Sequence, residues 1–169
     1  MRALLVNDME EDFCGQQAAL PVPEPEKISK CINKWIEEFR KTGELILFVC
    51  DTHSPTDEEF SLWPSHCVEG TGGTRIIEGV DYRDDPIIPK TRYSAFFKTS
   101  LEKVLRERDV DTLVLTGVCT DICILFTAAD AYFRGFKVIV PRDCVKSLDE
   151  ERHEWALNHM ESILNVKIV

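Results

Sequence analysis

Five short apolar runs, most of them rich in β-branched residues and separated by helical or irregular stretches, constrain the fold more than any other property of this chain. They are Ala3 to Val6, Leu45 to Cys50, Thr112 to Leu115, Phe136 to Val140 and Val166 to Val169. None alternates polar with apolar residues, so each reads as a strand covered on both faces. Between the first two, Ile28, Cys31, Ile32, Trp35, Ile36 and Phe39 recur at helical spacing and Gly43 supplies the stop. Leu101, Val104 and Leu105 follow the possible caps Thr99 and Ser100, and Asp121 to Arg134 forms a helix ending at Gly135. Ser147 with Glu150 has the spacing of a capping box before the last helix. Strands and helices alternating at these lengths predict an α/β fold: a three-layer, doubly wound, mostly parallel sheet with right-handed crossovers.

The 169 residues suit one domain, 1–169, with a core large enough to need no disulfide or structural metal. Lys plus Arg number 20 against 30 Asp plus Glu, a net charge of −10, so nucleic acid and anionic membrane are poor partners. The N-terminus reaches Asp8, Glu10, Glu11 and Asp12 before a signal-peptide core could form, and no segment approaches the roughly 20 apolar residues of a bilayer span. Seven cysteines, an odd set without a Cys-x-x-Cys pair, suggest reduced thiols and a cytoplasmic location.

Ligands of open α/β sheets bind beyond the carboxyl ends of the strands. The chain places Asp8, Asp51, Lys90, the segment Gly117 to Cys123, and Asp143 there. A carboxylate, an amine and a thiol converging at one rim have the composition of an activated nucleophile. Cys123 falls in the first turn of a helix, where unpaired N–H groups and the helix dipole favour thiolate, and Lys90 would push the same way. Amides of that turn offer an oxyanion hole, and Asp8 can accept the thiol proton. The plainer alternative is that Cys119 and Cys123 are small buried packing residues.

The long irregular stretch from Asp51 to Pro89 carries function or short elements of its own. It holds Asp51, His53, Glu59 and His66, a mixed imidazole and carboxylate set suited to Zn, Fe or Mn. Phe13, Leu20, Trp63, Tyr93 and Phe96 lie beside these polar groups and suit the walls of a pocket for a small planar ring, with core packing the competing role for each. His153 and His159 read as surface residues.

Three segments are similar to signatures of the isochorismatase-like cysteine hydrolases: Leu4 to Phe13, Lys90-Thr91-Arg92-Tyr93-Ser94-Ala95-Phe96, and Gly117-Val118-Cys119-Thr120-Asp121-Ile122-Cys123. The resemblance implies the isochorismatase-like hydrolase fold, with Cys123 as nucleophile, Asp8 as general base and Lys90 holding the pair. It also implies a cis peptide between Val118 and Cys119, and an oxyanion hole made by the amides of Cys119 and Cys123. Asp51-Thr52-His53 and Trp63-Pro64-Ser65-His66-Cys67-Val68 resemble the metal site of the nicotinamidase/pyrazinamidase branch, with Glu59 where several of those enzymes carry a third imidazole. The short path from Lys90 to Tyr93-Ser94-Ala95-Phe96 is as in other branches, and Glu10 replaces a familiar Gln.

The same resemblance implies metal-assisted hydrolysis of a small amide, nicotinamide to nicotinate and ammonia, through a cysteine thioester. One divalent ion (Zn, Fe or Mn) is its cofactor, NAD salvage its setting, and a homo-oligomer is possible. Phe13, Leu20, Trp63 and Tyr93 are the expected substrate-binding residues. Two alternatives stand beside this: a relative acting on a carbamoyl or ureido amide, and a thiol-based binding or redox-sensing protein in which Cys119 pairs with Cys123.

Overall fold

The computed structural model describes residues 1–169. Its centre is a wholly parallel sheet of seven strands: β1 (Arg2–Asn7), β2 (Leu45–Asp51), β3 (Ile87–Lys90), β4 (Thr112–Val118), β5 (Lys137–Val140), β6 (Val145–Lys146) and β7 (Lys167–Ile168). The spatial order is β3-β2-β1-β4-β5-β7, with the short β6 paired to the far end of β4. Five helices accompany them: α1 (Glu11–Cys14), α2 (Pro25–Thr42), α3 (Leu101–Glu107), α4 (Leu125–Phe133) and α5 (Glu150–Leu164).

Alternate residues of the central strands feed two apolar layers. Leu4, Val6, Ile46 and Phe48 pack on Ile28, Ile32, Ile36 and Phe39 of α2. Ala3, Leu5, Leu45 and Leu47 face the other way, onto Leu101 and Leu105 of α3, Ala128 of α4 and Leu157 and Met160 of α5. Burying a large aliphatic or aromatic side chain contributes about 1.5–3 kcal/mol, so the continuous apolar runs are explained by cover on both faces. The three-layer, doubly wound expectation holds, with every strand pair parallel.

Local chemistry corrects the sequence reading in three places. Residues 87–90 form a strand although they contain Pro89; it lies at the sheet edge, where a missing N–H costs no ladder bond. The last helix is capped by Asp149, whose side chain accepts the Arg152 N–H at 2.9 Å, while Ser147 bonds Asp121 instead of forming a capping box. The cysteine count suggests seven free thiols, but Cys31 of α2 and Cys144 are joined in a disulfide, because α2 and the turn at Arg142–Cys144 pack side by side. The other five cysteines are free and buried.

The strand order reverses about β1, which lies between β2 and β4. Such a reversal opens a crevice beyond the strands' carboxyl ends, so the topology puts the ends of β1, β2, β3 and β4 around one site.

Candidate active site

Each strand end delivers one polar side chain. Asp8 follows β1 directly, with φ of 52° and its N–H bonded to the Val49 carbonyl at 2.8 Å. Asp51 ends β2 and Lys90 ends β3, and the two are register partners across the ladder. At the end of β4, Gly117 has φ of 102°, and a Cβ there would lie 1.9 Å from the Asn7 carbonyl oxygen, so only glycine lets β4 approach β1 this closely. The Val118–Cys119 peptide is cis, as the resemblance implied. A π-helical turn, Thr120–Ile124, then carries Cys123 into α4.

These elements bring Asp8, Lys90 and Cys123 together. The Lys90 ammonium lies 3.0 Å from Asp8 Oδ2 and 3.5 Å from Cys123 Sγ, and it donates to Asp51 Oδ1. All four groups are buried, yet Cys123 keeps a 6% exposed edge on a cleft. Glu10 joins from below, its Oε2 accepting the Asp51 N–H at 2.8 Å. One ammonium therefore faces several carboxyl groups in a dry setting. Burial pushes the Asp8 carboxyl up against the pull of Lys90, to about 7. Glu10, buried beside Asp8, is held well above the usual carboxylate range. Burial alone would also raise Asp51, but Lys90 and His53 outweigh it and keep it ionised. Lys90 remains charged, since Asp51 and Asp8 overcome its own desolvation.

One expectation fails here. The helix dipole and Lys90 favour thiolate at Cys123, but burial and the Asp8 charge hold the thiol well above its usual range despite the ammonium. The resting group is a thiol beside a base. Near neutral pH that base is poised to take a proton. The Cys119 N–H forms no ladder or turn bond, while the Cys119 carbonyl accepts from Ile122 and Ile124 at 3.2 and 3.1 Å. That leaves a backbone donor beside the sulfur.

Adjacent to this group lie Asp51, His53 and His66, their ligand atoms within 4.8 Å of one another. His53 Nδ1 is 3.2 Å from Asp57 Oδ2, and His66 Nδ1 is 2.7 Å from the Pro64 carbonyl. Both Nε2 atoms are thereby turned to Asp51 Oδ2, at 3.6 and 3.9 Å. His53 Nε2 is buried without a partner, and an orphaned imidazole nitrogen aimed at a carboxylate is the donor set a divalent ion fits. Glu59 is grouped with His53 and Asp57 rather than with that trio; its buried Oε2 lacks a hydrogen bond and lies 4.0 Å from Arg92.

A narrow, mostly apolar cleft opens over Cys123. Phe13, Leu20, Trp63 and Tyr93 line it together with Asp51, Glu59, His66, Cys119 and Cys123. The Trp63 indole N–H donates to the Tyr93 hydroxyl at 3.0 Å, fixing both rings. Ile122 and Leu148 complete the wall and escape a reading of the sequence, because a single apolar residue in a turn carries no signal of its own. Phe96 is a core residue packed against Phe136, and Asp143 lies outside the cleft, beside α2. His153, expected at the surface, is 4% exposed and bonds Thr120, whereas His159 is half-buried and stacks on Trp155. Asp57 and Arg92, which support the site from behind, escape as well, since acidic and basic loop residues are common at exposed positions.

The isochorismatase domain model matches residues 2–168. The chain belongs to that family. Among solved members, the pyrazinamidase of Pyrococcus horikoshii in complex with zinc is 39% identical, with a TM-score of 0.93 over 99% of this chain and 98% of that one. A nicotinamidase/pyrazinamidase from Bacillus subtilis is 34% identical, with a TM-score of 0.92 over 99% and 98%. The N-carbamoylsarcosine amidase of Thermoplasma acidophilum is 32% identical, with a TM-score of 0.89 over 99% and 93%. No helix of the chain is long and apolar enough to cross a membrane.

Proposed function

We propose that this family member hydrolyses nicotinamide to nicotinate and ammonia by covalent catalysis, with Cys123 as nucleophile, Asp8 as general base and acid, and Lys90 as the cation that holds them. The observation that carries this reading is the Lys90 ammonium 3.0 Å from Asp8 and 3.5 Å from Cys123 at the floor of an aromatic cleft. As sulfur attacks the amide carbon, Asp8 takes the thiol proton and a C–S bond forms. The oxyanion is received by the N–H groups of Cys119 and Cys123. Its collapse breaks the C–N bond, the proton on Asp8 passes to nitrogen, and ammonia leaves. Asp8 then deprotonates a water that opens the thioester, nicotinate departs and sulfur regains a proton. Trp63, Tyr93, Phe13 and Leu20 pack on the ring and limit the site to small planar substrates. Asp51, His53 and His66 would hold a divalent ion (Zn, Fe or Mn), with Glu59 available on the same rim. Such an ion supplies a Lewis-acid anchor for an aromatic ring nitrogen. The zinc complex of the Pyrococcus horikoshii relative supports that reading. NAD salvage in the cytoplasm is the corresponding setting.

The similarity to an N-carbamoylsarcosine amidase favours a second reading, a carbamoyl or ureido amide on the same thiol. Ammonia release from nicotinamide and from a carbamoyl amide panel, by enzyme purified without chelator and assayed for metal, separates the two. The proposal expects nicotinamide turnover, roughly one bound metal per chain, and no turnover by Cys123→Ala. Activity in Cys123→Ala would overturn it, and a metal-free protein selective for carbamoyl amides would establish the second reading.

A further inference from the structure

We propose that His153 is a positioning residue for the nucleophile turn, acting on Cys123 through its hydrogen bond to Thr120; this rests on the reading of Cys123 as the nucleophile. His153 lies in the first turn of α5 and is 4% exposed, with Nδ1 2.8 Å from Thr120 Oγ1. Thr120 is wholly buried and opens the turn, between the Cys119 amide and the Cys123 sulfur. A π turn lacks the regular helical ladder, and such turns recur at functional sites. Its own backbone bonds run to the Cys119 carbonyl from Ile122 and Ile124, and contacts from outside fix the rest of its shape.

The grip comes from residues 145–153. Val145 and Lys146 of β6 pair with Gly117 and Val118 at the end of β4. Ser147 bonds the Asp121 carboxylate. His153 then holds Thr120, so consecutive parts of one segment fasten strand end, second turn residue and first turn residue. Burial keeps the imidazole basicity low, and Lys146 and Arg142 add to that against Glu150 and Glu154. A neutral ring has one donor and one acceptor nitrogen, so the Thr120 hydroxyl and Nδ1 are complementary. Near-attack geometry is steep: a misplacement of about 1 Å can cost roughly 100-fold in rate. A brace of this kind therefore acts on turnover more than on substrate affinity.

Thr120→Val keeps the side-chain volume and removes the hydroxyl; His153→Leu fills the site without a polar atom, and His153→Asn restores a polar atom near the Nδ1 position. Thr120→Val and His153→Leu are expected to lower kcat about tenfold with KM within about twofold, and to slow iodoacetamide alkylation of Cys123 in parallel. His153→Asn is expected to recover most of kcat, and the double variant Thr120→Val/His153→Leu to be no slower than either single one. Circular dichroism and melting temperature establish that each variant is folded. A role in packing alone predicts the opposite order, with His153→Leu active and His153→Asn impaired. That order, wild-type kcat in Thr120→Val, or losses that multiply in the double variant would overturn the proposal. Absence of nicotinamide turnover by the wild-type enzyme would refute the substrate assignment instead, and the alkylation series would still decide whether the brace exists.

Discussion

Lys90→Met removes the one buried cation of the site while keeping most of its stem. Lys90 is 1% exposed and faces Asp8 at 3.0 Å, with Asp51 against its other side. Unit charges at that separation attract by about 5 to 6 kcal/mol at an effective dielectric near 20, and breaking a buried pair costs a net of roughly 3–5 kcal/mol after solvation is counted. The loss acts on both rate and stability. Without its ammonium, the Asp8 carboxyl climbs beyond its present value of about 7 and is protonated at neutral pH, so nicotinamide turnover at pH 7 falls by about 10²-fold or more. The stability loss also depends on pH. A carboxyl whose folded pKa lies above its unfolded one stabilises the fold at low pH and loses that contribution as pH rises through the folded value. The deficit of Lys90→Met in urea unfolding should therefore be about 3 kcal/mol or more at pH 8 and clearly smaller at pH 5.5. An equal deficit at both values, or turnover within threefold of wild type, would refute this electrostatic account.

Turnover of the unmodified enzyme should decline as pH drops below about 7, where Asp8 takes up a proton; Asp8→Asn should lose about 10² or more and show no such limb, as a pH-rate profile would reveal. Asp51→Asn should abolish stoichiometric metal, measured by elemental analysis, while far-ultraviolet circular dichroism stays unchanged. Cys31→Ser opens a crosslink spanning 113 residues and should lower stability by about 2–4 kcal/mol in non-reducing denaturation, leaving kcat within twofold because neither half-cystine lines the cleft.

The central strands are legible because their apolar runs are unbroken, and the helix on Ile28, Ile32, Ile36 and Phe39 because its period is uninterrupted. Ile87–Lys90 is not: four residues that include a proline carry no strand signal, and the segment becomes a strand because β2 offers a free edge. Within the site, Asp8, Lys90 and Cys123 can be named because strand ends converge by topology. The direction of the Cys123 ionisation cannot, since it depends on how completely Asp8 and the sulfur are desolvated. Cys31 and Cys144 pair through packing between distant elements, which an odd cysteine count conceals. The spacing of His153 to His159 suggests a surface position, yet that spacing carries nothing about Thr120, 33 residues away.

The most direct test of thioester catalysis is to run nicotinamide hydrolysis in the presence of hydroxylamine. A nicotinoyl group held on Cys123 must partition between water and the amine, so nicotinohydroxamate should accumulate at the expense of nicotinate, and acid-quenched protein should carry the acyl mass on the peptide containing Cys123. Wild-type turnover that yields nicotinate alone at every hydroxylamine concentration, with no modified Cys123 peptide, would contradict the covalent mechanism.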